Sequence, residues 1–239
     1  MDTFDIIKIM NNAKMVLFDI DGTLLMTGGA GRFAFERAFK ELFGIKDAWG
    51  NTIPDGKTDP IIINEIADRL LKRPLQKEEY DTLCGRYLAY FDEEIIDSPR
   101  FRLLPGVPAI LDTLSGIKNV ILGIVTGNFE GAAWAKLEKG GLRHYFNFWG
   151  FGSDSWDRAE ITRVAFERGL TKSAREITRE NVFVIGDTQH DVMAAKKLGA
   201  KSVAVRTGRT PENELLASGP DYLLTDLASG ETLLRILKQ

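Results

Sequence analysis

The chain has 239 residues, 44% of them hydrophobic, enough to bury a full core as one large domain or as one domain carrying a sizeable insertion. Its 34 acidic and 31 basic residues nearly cancel, which excludes the broad cationic field that holds nucleic acid or anionic lipid and leaves room for local positive charge toward a small anionic substrate. The opening, MDTFDIIKIMNNAK, lacks the basic end and apolar run of a secretory signal, and no apolar stretch approaches the roughly 20 residues that span a bilayer, so a cytoplasmic protein is expected.

In chain order, the first apolar run bounded by turn residues lies at 15–18 and predicts a buried strand. The stretch 28–102 that follows carries helix-like segments near 32–43, 60–71 and 77–96 and no run that predicts a strand. It is expected to be a helical insertion, with the return at Leu103-Leu104-Pro105-Gly106, where proline and glycine punctuate the chain. Beyond it, helical periodicity at 107–114, 130–139, 158–168 and 191–198 is interleaved with strand-like runs at 120–125, 146–151, 182–185, 202–205 and 222–224. Alternation of this kind predicts an α/β fold: a doubly wound, Rossmann-like parallel sheet covered on both faces. The expected division is a core of residues 1–24 and 105–239 with an inserted α-helical cap at 25–104.

In a doubly wound sheet, ligands bind beyond the carboxyl ends of the strands. Three runs end in polar groups there: Asp19-Ile20-Asp21-Gly22-Thr23, Thr126-Gly127-Asn128, and Gly186-Asp187-Thr188-Gln189-His190-Asp191. Strand-end Asp and Gly are also ordinary turn and cap residues; these three clusters stand apart because all are expected on one side of one sheet. Asp19 and Asp21 leave the strand two residues apart, so both side chains lean to the same side. Four carboxylates at neighbouring strand tips repel one another unless a cation is present, and Mg²⁺ accepts hard oxygen ligands of this kind.

These residues resemble the haloacid dehalogenase superfamily, and within it the phosphoglycolate phosphatase-like branch with a helical cap. The resemblance rests on Val16-Leu17-Phe18-Asp19-Ile20-Asp21-Gly22-Thr23, on Ile124-Val125-Thr126-Gly127-Asn128, and on Gly186-Asp187 with Asp191, in that order. It implies hydrolysis of a small phosphorylated metabolite with Asp19 as nucleophile and Asp21 as proton donor, then base, a division of labour that suits two carboxylates. It further implies Mg²⁺ held by Asp19, the backbone carbonyl of Asp21 and Asp187, with Asp191 acting through water or a neighbour. Thr126 and the amides of Gly127 and Asn128 would stabilise the transferring phosphoryl group.

The family's usual lysine before the last acidic loop is replaced by Arg158, which can make the same charge contact but cannot donate its proton. Lys57, in the polar loop 54–60 of the insertion, resembles a cap residue that reaches the substrate, while Thr58 or Asp59 would cap the next helix. His190 reads as a loop residue because carboxylates already supply acid and base, and His144 has no partner pattern. Gly28-Gly29 reads as a hinge rather than a phosphate cradle, the four tryptophans as packing, and the single Cys84 as a small buried hydrophobe. Two other readings remain open: a phosphosugar mutase using the same aspartates, and a noncatalytic phospho-responsive binding module. Neither the metabolite nor the oligomeric state is specified by the sequence.

Overall fold

The computed structural model describes residues 12–239. The first part of the expected core segment, 1–11, and with it most of the opening read as lacking an export signal, lies outside the described residues.

Six parallel strands form the central sheet: β1 (Lys14–Phe18), β4 (Val120–Val125), β5 (Phe148–Gly150), β6 (Val182–Gly186), β7 (Lys201–Val205) and β8 (Tyr222–Leu224), in the order β5-β4-β1-β6-β7-β8. The α/β class is therefore as expected. The chain leaves β1 and returns on one side through β4 and on the other through β6, so the sheet reverses its strand order around β1. Register places Phe18 beside both Ile124 and Ile185, which brings the three polar strand ends together.

Every residue of β1 is buried, because helices cover both faces. Side chains alternate across the sheet: Val16, Phe18, Ile124 and Ile185 pack with α4 (Val107–Ser115) and α9 (Gly230–Leu237). Met15, Leu17, Val125 and Val184 pack with α6 (Arg158–Leu170) and α7 (Gln189–Leu198). Strand β5 is shorter than the run 146–151 because only Phe148–Gly150 pair with β4, at Gly123–Val125; Phe146 and Phe151 are nonetheless buried in the core. Helix α7 starts earlier than expected because Thr188 caps it, accepting the helix's backbone N–H while Asp191 accepts the Thr188 N–H. The helix α8 (Glu212–Ala217), too short for a clear period, and α9 were not anticipated.

The stretch between β1 and α4 folds as α1 (Ala30–Phe43), α2 (Asp59–Leu71) and α3 (Lys77–Ile96). Its two ends pair as a short antiparallel ribbon, β2 (Leu25–Met26) with β3 (Arg102–Leu103). This corrects the expectation of no strand through residue 102: a ladder two residues long leaves no alternation to read. Gly28 and Gly29, expected as a hinge, turn the chain into α1 with φ of 71° and 109°. The apolar faces of the three helices share a cluster in which Phe35 stacks on Tyr87 at 3.9 Å between ring centres. That cluster also takes in Phe129 and Ala132, at the start of α5 (Glu130–Lys139). No helix among the described residues is long and apolar enough to cross a membrane.

A Cβ on Gly150 would lie 2.2 Å from the Ile161 carbonyl oxygen, so α6 packs on β5 at glycine distance. Gly150→Ala is expected to lower unfolding stability by about 3 kcal/mol, the upper end of ordinary overpacking, read from the urea midpoint. An unchanged midpoint would contradict this packing.

Candidate active site

The carboxylates are placed by a tight turn after β1. The Asp19 N–H donates to Ile185 O at 2.9 Å, and the N–H groups of Leu24 and Leu25 donate to Ile20 O at 2.9 and 3.1 Å. Gly22 makes this turn with φ 79°, and a Cβ there would meet Asp187 Oδ2 at 2.4 Å. Gly208 approaches the same carboxylate still more closely, with its Cβ position 1.6 Å from Asp187 Oδ2. Only glycine fits at either point. Beyond β4, the Thr126 hydroxyl donates to Asn128 Oδ1 at 3.0 Å.

Arg158 is the first residue of α6, whose N-cap Asp157 accepts the Ala159 N–H. Its side chain is 8% exposed, and Nη2 bridges Asp19 Oδ1 at 2.8 Å and Asp191 Oδ1 at 2.5 Å. This is no solvated helix arginine. Its Nε is buried without an acceptor among the described residues, an unusual state for a donor and one suited to an incoming oxyanion. The other oxygen of Asp191 accepts from the Thr188 N–H at 3.1 Å and its hydroxyl at 2.8 Å, so both Asp191 oxygens are taken by protein donors.

Ligand oxygens of Asp19, Asp187 and Asp191 lie within 4.8 Å of one another. Burial, which the Arg158 charge opposes and the neighbouring aspartates reinforce, pushes the Asp19 carboxyl up to about 6. Asp187 is raised well above the usual carboxylate range by burial first and then by Asp19 and Asp191, against the opposing pull of its own backbone N–H; its side chain also accepts the Thr23 hydroxyl, at 3.3 Å. Carboxylates crowded against one arginine, with no cation paired to Asp187 among the described residues, fit a hard divalent cation.

The sequence model of the haloacid dehalogenase-like hydrolases matches residues 16–205. The chain belongs to that family. It is 27% identical over 214 residues to the probable phosphatase IndB of Dickeya dadantii, covering 88% of each chain. It is 24% identical over 214 residues to a phosphoglycolate phosphatase of Aquifex aeolicus, covering 89% of this chain and 92% of the relative. Among solved structures, a predicted phosphoglycolate phosphatase from Haemophilus somnus superposes with a TM-score of 0.71 at 20% identity, over 94% of this chain and 99% of that one.

Two residues of this hydrolase that the motif reading missed sit beside the strand tips. Lys136 Nζ, on α5, donates to Asp21 Oδ2 at 2.5 Å and to Asn128 Oδ1 at 2.9 Å, with its side chain 6% exposed. The signal was a lysine in register with the buried positions Ala132, Ala133 and Leu137 of one helix face. Asp59, at the start of α2, accepts the Phe129 N–H at 2.8 Å, while its own N–H donates to Gly127 O at 2.8 Å. Thr58 takes the N-cap position of α2 but makes no side-chain cap; its hydroxyl is 3.4 Å from Trp156 O. Residues 54–60 thus rest on the core, and a Cβ on Gly127 would meet the Lys57 carbonyl at 2.5 Å.

Asp19, Asp21, Thr126, Asn128, Arg158 and Asp187 all line a cavity of about 640 Å³ between the strand tips and the inserted helices. Lys57 also lines it, but Nζ is ion-paired with Glu65 at 2.5 Å. Gly127 is not on the wall; it is where residues 57–59 land. Arg32, Arg100, Arg102 and Arg209 make further parts of the wall cationic, and Phe33 and Trp49 add apolar surface. His190 packs under Gly56, whose Cβ position lies 2.2 Å from its ring, rather than among the carboxylates. Cys84 is half-buried, with burial pushing its thiol up to about 11. Trp134 and Trp149 pack edge to face, while Trp156 is 53% exposed.

Burial raises the Asp59 carboxyl from 3.8 to about 6, against the opposing pull of Lys136 and the Phe129 amide. A carboxyl raised on folding favours the folded state below its unfolded value and loses that advantage as pH rises through the folded one. The stability of wild type relative to Asp59→Asn is therefore expected to fall by roughly 2 kcal/mol between pH 4 and pH 7. Thermal unfolding of both proteins across that range checks it; a constant difference would contradict the burial of this carboxylate.

Proposed function

We propose that this chain is a Mg²⁺-dependent phosphatase that hydrolyses a small phosphomonoester through an aspartyl-phosphate on Asp19. The observation that carries this reading is the pair of carboxylates at the tip of β1, each tied to a different cation: Asp19 to Arg158 and Asp21 to Lys136. The names of the two relatives, a phosphatase and a phosphoglycolate phosphatase, agree with the reaction class. In this reading residues 25–104 form the cap and residues 1–24 with 105–239 the core, and the substrate occupies the cavity between them.

An Asp19 oxygen attacks phosphorus, and the bond from phosphorus to the ester oxygen breaks. Asp21 gives its proton to that leaving oxygen. Asp21, now a carboxylate, takes a proton from water as the water oxygen attacks the aspartyl-phosphate, releasing inorganic phosphate and regenerating Asp19. Arg158 holds Asp19 and offers its unpaired Nε–H to phosphoryl oxygens, and Thr126, on the cavity wall, adds a hydroxyl donor when it exchanges its Asn128 partner. Lys57 serves the far end of the substrate if it exchanges its Glu65 partner. Asp19, Asp187 and the Asp21 carbonyl would hold Mg²⁺, whose positive charge would offset the carboxylates and the phosphoryl oxygens. Asp191, with both oxygens taken, orients Arg158 instead of touching the ion.

Asp19→Asn is expected to fold normally and lose turnover, and beryllofluoride with Mg²⁺ should raise the melting temperature of wild type but not of this variant. Substantial residual turnover, or an equal shift in both proteins, would end the covalent mechanism. Activation by a bisphosphorylated sugar would reassign the chain as a mutase, and a folded wild type inert toward aryl phosphates would favour a binding module.

Arg158→Ala should reduce turnover about a hundredfold, the loss seen when one preorganised donor is removed, and Arg158→Lys should recover much of it. Steady-state kinetics at a saturating phosphomonoester checks both. More than half of wild-type turnover in the alanine variant would remove Arg158 from the site.

A further inference from the structure

Lys136 belongs to none of the motifs that define the site, yet it makes the contact that restrains Asp21. The Asp21 side chain is 40% exposed at the cavity wall, whereas the lysine that grips it is 6% exposed. A carboxylate with that freedom samples several rotamers unless one oxygen is anchored. The anchor here is rigid. Lys136 leaves the buried face of α5, its ammonium lies 5.5 Å from the centre of the Phe91 ring, and the Asn128 side-chain oxygen holds it from a second direction.

A buried ammonium is costly unless acceptors and opposite charges surround it. The further opposite charge comes from the insertion. Asp59 is clamped to the core on both sides, by its N–H on Gly127 O and by its carboxylate on the Phe129 N–H at the start of α5. Its charge and that of Lys136 act on each other. Gly127 admits the loop that delivers it, since any larger residue would meet the Lys57 carbonyl and Thr58.

We propose that Lys136 is a positioning residue for Asp21, and that Asp59, carried in by residues 54–60 of the insertion, completes its setting, so that the leaving-group acid is held in place when that loop is docked on the core. The inference rests on the phosphatase reading above. Lys136 moves no proton and forms no bond; it fixes the Asp21 carboxyl where the ester oxygen departs. Proton donation of this kind matters little for a leaving group that departs as a stable anion and greatly for one that departs as an alkoxide.

The test uses the full chain with Mg²⁺ and two esters of similar size, 4-nitrophenyl phosphate and benzyl phosphate. The measured quantity is kcat/KM, which reports the step in which the leaving group departs. Lys136→Met is expected to lower kcat/KM for benzyl phosphate roughly tenfold more than for 4-nitrophenyl phosphate, a modest part of what general acid catalysis contributes. Asp59→Asn should shift the ratio in the same direction by a smaller factor, and it decides the matter if Lys136→Met does not fold. Equal losses on the two esters, or none, would overturn the positioning role and reduce Lys136 to packing or to a general phosphate contact. With wild type active and Asp19→Asn inert, such a result would remove this inference and leave the phosphatase reading standing. A wild type inert toward both esters would remove both.

Discussion

The arrangement depends on one electrostatic constraint: Asp19 and Asp187, at the tips of β1 and β6, are buried together with Asp191 in the first turn of α7. Gathering carboxylates away from water costs several kcal/mol each unless cations and donors offset it. Arg158 spans two of them with one nitrogen, the Thr188 cap engages Asp191, and glycines at 22 and 208 leave room for the third carboxylate. The parallel sheet makes this possible because β4, β1 and β6 are neighbours in register, so each loop opens onto the same point. What remains unbalanced is negative charge on hard oxygens, the condition that a divalent cation relieves.

Around that centre the two carboxylates of the β1 turn are treated differently. Asp19 is buried and held by an arginine arriving from the helix after β5, whereas Asp21 faces the cavity and is held by a lysine from the helix after β4. A nucleophile benefits from a fixed, desolvated position; an acid and base needs access to the ester oxygen and to water. The contrast in surroundings matches the contrast in proposed roles. In both ion pairs the cation's side chain is almost fully buried, which distinguishes them from the exposed pairs on the helix surfaces, such as Arg163 with Glu160, that contribute little.

The insertion is more than a cover. Its apolar cluster continues into α5 through Phe129 and Ala132, and Asp59 binds the start of that same helix. The helix that carries Lys136 therefore has one side in the core and its first turn against the insertion. Above the strand tips the cavity wall combines arginines with Phe33 and Trp49, a surface suited to an anionic ligand larger than phosphate alone.

The sequence by itself determined the α/β alternation, the three polar strand ends and their shared side, because strand and helix periods are local and a strand's end is marked by the residues that stop it. The resemblance it carries also marked Arg158 as a candidate cation, in the place where the family usually has a lysine. Tertiary structure alone decided which charges meet. Lys136 was visible only as a lysine on an apolar helix face, and nothing nearby in sequence names Asp21, 115 residues away, as its partner. Asp59 read as a helix cap because capping is a local pattern; its carboxylate instead serves an amide 70 residues on, at the start of another helix. The ribbon of Leu25–Met26 with Arg102–Leu103 was hidden for the same reason: a pairing so short is specified by the two ends of the insertion coming together, and that closeness is a property of the folded chain.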